Sequence, residues 1–359
     1  MSSSLPFELL RPIVEHVNEK NSLVSLTQVS PSFQVEAERA LYRSVILHYN
    51  DMGLISALSS PKRALLVQEC SLYLAPGSKG KAPSTTTSIP PAFLVLSKMK
   101  NLKSLTIRGN LPSKPIQFPF SLDTFCTTEA MSKTLVSFLR TQPSITRLTL
   151  LSSPLPTTPV PPPKVVASML PNAHSLATLT PQAALPLIPS KPVSHVHILA
   201  WAKSHMSDVA PVMASSSGPM RALMCAQGFE LTPTDMGLLA MHIPTLTFLG
   251  DVVLTEDISA YTPALSRMPN LKTILVSRQS ATLKESSSPS SPLSSRAVER
   301  NTLATLGRAC RSLEKVAFTQ MCSAPYVWER SSRKETTDEW VIKKVDEPTE
   351  VAGSLWKRS

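Results

Sequence analysis

From residue 51 onward, apolar residues recur in sets at offsets 0, 3 and 5. The clearest sets are Leu102, Leu105, Ile107 and Ile145, Leu148, Leu150. Others are Val193, Val196, Ile198; Met220, Leu223, Cys225; Leu249, Val252, Leu254; Leu271, Ile274, Val276; and Leu313, Val316, Phe318. Val67, Cys70, Leu72 form a degenerate first copy, and Leu176 with Leu179 a poor one. The last two positions of a set lie two residues apart, so on a short strand both side chains point to one face. Ahead of most sets stand helix signals. Asp51 is placed to cap a helix holding Leu54 and Leu58, and Thr128 with Glu129 to open one holding Leu135, Phe138 and Leu139. Thr232-Pro-Thr-Asp235 has the form of a capping box with proline at the first helical position, ahead of Leu238, Leu239 and Ile243. Thr255, Glu256 and Asp257 suit a helix amino end, and Leu303, Leu306 and Cys310 share a face before Leu313. The predicted unit is helix then strand. Stacked units make an α/β solenoid, a curved parallel sheet with helices outside. The interval between sets runs from about 17 residues to more than about 40, so the solenoid is irregular, and an ordinary α/β domain with a parallel sheet fits the same periodicity.

The first fifty residues follow a different rule. Pro6 suits a first helical position, and Leu9, Leu10, Ile13 and Val17 recur at helical spacing, with a kink or restart expected at Pro12. A second helix is expected from Ser22 through Leu23, Leu26 and Val29, stopping before Pro31. Ser30 and Pro31 then open a third as N-cap and first residue, carrying Phe33, Ala37 and Leu41. Ser44 to Tyr49 reads as a strand. Three short helices bury too little apolar surface to stand alone, so later residues or a partner must complete them.

LPxELL, an isoleucine three residues on, SLxSLxxVSxSF and an AxxxLY ending together resemble an F-box. The resemblance implies a three-helix docking module for Skp1, the link to a cullin-based ubiquitin ligase. Leu5, Pro6, Leu9, Leu10 and Ile13 match its first half, and Leu26, Val29, Ser30 and Phe33 its second. Phe33 stands where many members carry tryptophan, and Ser30 where many carry cysteine. The offset pattern resembles the leucine-rich repeats, in the degenerate form that follows the F-box in many fungal proteins, with most of the asparagine ladder of regular repeats absent. The implied protein is a substrate-recognition adaptor that has no catalytic residues and holds its target in place. The alternatives are a helical cap on the repeats and a leucine-rich-repeat interaction scaffold with no ligase role.

The expected boundaries are a helical module over 1–48, the solenoid over 49–325, and a tryptophan-rich cap over 326–359. The cap's YVWER and EWVIKK segments are set to pair as a hairpin around SSRKETTD, with Trp328, Trp340 and Trp356 covering the open end. Three insertions interrupt the array. They are residues 76–88; residues 153–164, whose Pro156, Pro159 and Pro162 give two PxxP spacings; and residues 286–295, where Ser288 and Ser291 precede prolines. The 33 prolines against 10 glycines suit many short elements better than a glycine-rich nucleotide-binding fold.

The formal charge of +11 lies in the middle of the chain. Residues 51–325 carry 25 basic and 13 acidic groups, whereas 1–50 carry 4 and 5, and 326–359 carry 7 and 7. A basic middle favours an acidic or phosphorylated target, although the same excess without long charge runs is also what a solvated surface looks like. At the strand offsets pointing away from the core stand Thr106, Arg108, Arg147, Thr149, His197 and Lys272, with Arg278 and Lys315 close by; Arg108, Arg147, His197 and Lys272 are the candidate target contacts. Aromatics at 5% of residues, gathered at the ends, give nucleic-acid binding little support. Five cysteines without a CxxC pair point to neither a disulfide framework nor a zinc site. GSKGK lacks a phosphate-loop spacing, there is no GxSxG, and His195 and His197 with His205 lack nearby carboxylates for a metal. No cofactor and no membrane span are expected, because prolines break the charge-free stretch 165–190. A cytoplasmic or nuclear protein is the expectation.

Overall fold

The computed structural model describes residues 6–74, 90–112, 117–152, 169–200, 206–254, 257–277, 302–320, 323–330 and 340–344. The three insertions, with their PxxP and Ser-Pro positions, lie outside the described residues, as do Leu5, His205, Arg278, Cys322 and Trp356. The chain forms two compact units, Met1–Asn172 and Ala173–Ser359.

The first unit opens with α1 (Phe7–Glu15), α2 (Lys20–Leu26) and α3 (Pro31–Arg43). Helix α1 runs through Pro12 without a restart and ends before Val17. Proline there removes only the one N–H that would have bonded Glu8's carbonyl. Helix α2 starts at Lys20 rather than after Ser22, whose hydroxyl instead donates to Glu19 at 2.9 Å. The Ser30 cap forms as expected, its Oγ accepting from the Phe33 N–H at 3.3 Å. Five strands follow in chain order, each parallel to the last: β1 (Ser44–His48), β2 (Glu69–Tyr73), β3 (Ser104–Arg108), β4 (Thr124–Thr127) and β5 (Arg147–Leu150). Between them lie α4 (Met52–Leu58), capped by Asp51 at 3.1 Å, α5 (Pro61–Ala64), α6 (Pro91–Leu96) and α7 (Lys133–Arg140). The cap of α7 is Ser132, not Thr128 or Glu129. Those two residues instead tie down the turn after β3. Thr128 Oγ1 accepts from the Gly109 N–H at 3.0 Å, and the buried Glu129 carboxylate accepts from the Leu111 N–H at 2.7 Å. Gly109 has φ +129°, and a Cβ there would lie 2.7 Å from Leu74 Cβ, so this turn requires glycine.

The second unit continues the scheme with β6 (Ser175–Thr178), α8 (Pro181–Ala184), β7 (His195–Ile198), α9 (Met206–Ala214), β8 (Ala222–Leu231), α10 (Pro233–His242), β9 (Phe248–Leu254), α11 (Thr262–Leu265) and β10 (Thr273–Ser277). A helix over 302–309, α12, then leads into β11 (Lys315–Gln320). Strands β6 to β11 are parallel in chain order. The Thr232 capping box forms in both directions, each bond at 3.1 Å. The expected hairpin forms as β12 (Ser323–Arg330) and β13 (Trp340–Lys344), with β12 antiparallel both to β11 and to β13. Each unit is thus an irregular α/β array in which short helices alternate with the strands of a mostly parallel sheet.

The periodic sets are the core. All three residues of the Leu102, Ile145, Val193, Met220, Leu271, Leu313 and Val67 sets are buried. Two sets are framed differently from the sequence reading. The helix-facing set around β9 is Leu246, Leu249 and Val252, because Asp251, at φ +58°, bulges the strand by one residue. Around β6 they are Ala173, Leu176 and Thr178, with Leu179 half-buried. One set was missed altogether: Leu122, Phe125 and Thr127. In both Thr127 and Thr178 a hydroxyl occupies a core offset and is satisfied locally. Thr127 Oγ1 accepts from the Glu129 N–H at 3.0 Å, and Thr178 Oγ1 donates to the Thr180 carbonyl at 2.9 Å.

Each set is also locked to the one before by a recurring bond. The carbonyl one residue after a set's first core position accepts two N–H groups from the next set. Asp123 O receives Thr146 and Arg147, Ser194 O receives Arg221 and Ala222, and Lys272 O receives Glu314 and Lys315. Side chains repeat the same spacing. Asn101, Asn172 and Asn270, each one residue before a first core position, donate to the carbonyls of Leu65, Pro143 and Pro244. Where that residue is Ser144, Thr245 or Ser312, the hydroxyl donates to Leu122, Met220 or Leu271. A polar ladder is therefore present, built from mixed residue types. Replacing Thr127 by valine strands the buried Glu129 N–H, and a loss of about 1–3 kcal/mol is expected. Thr127→Ser restores most of it in the same chemical denaturation experiment.

Candidate interaction surfaces

The helical module has two distinct sides. Leu10, Val14, Leu23 and Ala37 are buried. Leu9 and Ile13, one turn apart on α1, are 49% and 43% exposed, and Val29 is 63% exposed. Of the other residues singled out by sequence, Pro6 is exposed, whereas Leu26, Ser30 and Phe33 are half-buried. The expected single face of Leu9, Leu10, Ile13 and Val17 is thus divided, because a helix places positions one apart about a third of a turn from each other. Helix α3 is anchored by charge as well as by packing. Its buried Glu38 takes Arg63 at 3.2 Å, Glu36 pairs with Arg39 at 3.3 Å, and the Arg63 guanidinium lies 5.5 Å from the Tyr42 ring centre.

The sheet surface that faces away from the core differs between the units. In the first unit it is open and floored by small residues: Ser71, Thr106, Cys126 and Thr149 lie side by side across β2 to β5. At the strand ends a lateral stack runs from His48 to Tyr73 (5.0 Å between ring centres) and on to Arg108, 4.9 Å from the Tyr73 centre. Arg147 is exposed at the start of β5. Burial raises the Cys126 thiol pKa, with the Arg108 charge and a Thr106 hydrogen bond acting the other way. Sequence spacing identified Arg108 and Arg147 but missed His48, Tyr73 and Cys126, whose signal was their place at the same outward offsets.

In the second unit the corresponding surface of β8 to β12 is apolar and buried: Ala222, Met224, Phe248, Leu275, Ala317 and Val327 cluster there. The Phe248 ring lies so close to Gly250 that a Cβ would meet it at 2.6 Å. Lys272 is exposed but pairs with Glu314 at 3.0 Å, and Lys315 pairs with Glu329 at 3.1 Å. His197 is half-buried on β7, and burial depresses its pKa. Asp251 sits half-buried at its bulge; burial raises its pKa, partly offset by a hydrogen bond from Ser277. Among the described residues no group of three His, Cys, Asp or Glu side chains could hold a metal ion, and no helix is long and apolar enough to cross a membrane.

No family model and no curated protein matches the chain. Among solved structures it is similar to the leucine-rich repeat-containing protein LegL7 from Legionella pneumophila, at 14% identity and a TM-score of 0.42, over 85% of this chain and 89% of that one. It is also similar to the complex of Rad7 and Elc1 in yeast, at 11% identity and a TM-score of 0.35, over 86% and 85%.

The divided helical module predicts opposite outcomes for neighbouring residues. Leu10→Ala should cost about 2–5 kcal/mol as a buried truncation, whereas Leu9→Asp with Ile13→Asp should stay within about 1 kcal/mol. Hydrogen exchange across α1 to α3 reads both. At the bulge, Asp251→Asn removes a charge from a desolvated site and keeps a residue type that tolerates positive φ. The raised native pKa means Asp251 takes up a proton before the unfolded chain does. Its penalty is therefore full at neutral pH and fades as pH falls through that pKa. The variant should melt higher than wild type at pH 7, with the gap closing in acid.

Proposed function

We propose that this chain is a protein-interaction scaffold of the leucine-rich-repeat type, whose amino-terminal helices form its first docking element. The observation that carries this reading is the side of α1 left uncovered: Leu9 and Ile13 stay exposed while Leu10 and Val14 are buried. Two exposed branched side chains one turn apart, with Val29 also open, favour a helical partner that buries them.

A second reading makes that partner an Skp1-like protein and the chain the substrate-recognition adaptor of a cullin-type ubiquitin ligase. It is favoured by one coincidence. Leu9, Ile13 and Val29, which the F-box resemblance assigns to the partner, are among the apolar residues the fold leaves exposed. Leu10, also assigned by the resemblance, is buried within the chain, and Ser30 is used as a helix cap, so neither would contribute direct contacts of its own. On this reading the repeats hold the target near the conjugating enzyme, and the rate gain is one of proximity.

Affinity purification of the tagged full chain and of its Leu9→Asp, Ile13→Asp variant separates the two. Both readings expect a partner to be lost in the variant. The adaptor reading expects an Skp1-like protein and a cullin among the losses. The scaffold reading stands without them, and falls if the variant retains every partner of the wild type.

A further inference from the structure

Within the scaffold reading, on which this step rests, the outward face of β3 to β5 has the features of a site for a particular kind of segment. Arg108 and Arg147 both project from it, and among the described residues neither guanidinium has a hydrogen bond or an ion pair. Other candidate basic contacts on the sheet are engaged: Lys272 and Lys315 each hold a glutamate. Arg108 is also held in place, because its guanidinium rests on Tyr73, itself stacked on His48. An arginine ordered by stacking loses less side-chain freedom when it takes up an anion.

The spacing of the two arginines sets the geometry of what they can take. Arg147 pairs in register with Thr124, and Thr124 with Ser104, so Arg108 lies two strands across and four residues further along. At about 4.8 Å per strand and 3.3 Å per residue, their Cα atoms stand about 16 Å apart. Between them the floor is Thr106, Cys126 and Thr149, all short enough to let a backbone approach. In an extended chain, residues four apart share a face and span about 13 Å, and the arginine arms cover the remainder. Two separated single guanidiniums suit one carboxylate each. A phosphate dianion is better held by several donors converging on one point. Among the outward offsets of β1 to β5 the acidic residue is Glu69, at the start of β2 and outside β3 to β5.

We infer that the outward face of β3 to β5 binds an extended, carboxylate-rich segment of a partner protein, with Arg108 and Arg147 each receiving an acidic side chain across the floor of Thr106, Cys126 and Thr149.

The test uses the full chain and a fluorescein-labelled decapeptide of alternating glutamate and serine. Cys126 is half-exposed on the floor, whereas Cys70, Cys225 and Cys310 are buried, so its alkylation by N-ethylmaleimide, read by mass spectrometry, reports occupancy of this face. The peptide should slow alkylation of Cys126 at least about threefold, and Arg108→Gln with Arg147→Gln should weaken binding about tenfold or more, as expected for two charge-assisted contacts. Arg108→Lys should recover part of the loss. The inference is overturned if the double variant binds within about twofold of wild type, if the glutamine–serine control peptide binds equally, or if Cys126 is unprotected. It is also overturned if a phosphoserine decapeptide or decauridylate binds more than about tenfold tighter through the same arginines. The double variant also keeps Leu9 and Ile13 intact. If it still captures every cellular partner while the acidic peptide fails on wild type, this face is wrong and the scaffold stands; if the wild type captures no partner at all, the scaffold reading itself fails.

Discussion

The carbonyl that follows each first core residue, and the pair of N–H groups it accepts from the next repeat, is the bond on which the solenoid depends. It recurs from Gln68, Lys103 and Asp123 in the first unit to His174, Ser194, Arg221, Thr247 and Lys272 in the second. A parallel strand cannot be reached by a tight turn, so every repeat must cross back over the sheet before it pairs. Fixing the turn just ahead of the strand sets the register for the four or five residues that follow. Asparagine, serine and threonine side chains beside that turn add a second bond to the preceding repeat. Because each set contacts chiefly its neighbours, the repeats tolerate long insertions between them without losing register.

That arrangement fixes one face of the sheet and leaves the other free to vary. The inner face is mostly leucine, isoleucine, valine and similar residues, since the helices must pack on it, with Thr127 and Thr178 the polar exceptions described above. The outer face carries no such demand. Across β3 to β5 it holds threonine, cysteine and two arginines, Arg108 stacked on Tyr73 and neither in an ion pair among the described residues. Across β8 to β11 it holds Met224, Phe248, Leu275 and Ala317, all buried. The first surface offers arginines above a floor of short side chains, whereas at the second the charge of Lys272 is already paired with Glu314.

The amino-terminal helices obey a related logic. A short amphipathic helix joined to a larger body needs only part of its apolar face to hold it there. Leu10 and Val14 perform that task on α1, leaving Leu9 and Ile13 in solvent. The pair between buried Glu38 and half-buried Arg63, reinforced by Arg63 over Tyr42, links α3 to α5. Truncating Arg63 would leave the buried Glu38 carboxylate without its ion-pair partner, whereas the exposed part of Arg63 limits what the pair adds to net stability.

Much of this was written in the sequence because hydrophobic offsets are local. The LxxLxL sets, the Ser30, Asp51 and Thr232 caps and the closing hairpin each depend on a few consecutive residues and were legible without coordinates. The set at Leu122, Phe125 and Thr127 escaped, since a threonine at a core offset looks polar until its hydroxyl is seen bonded to the Glu129 N–H. The Leu246 frame escaped too, because only a backbone bulge at Asp251 moves Val252 inward. Which of two adjacent leucines in α1 faces solvent, and which outward strand positions are open, follow from what other elements cover. Periodicity lists the residues that share a face; it carries no information about the distant segments that come to rest against it.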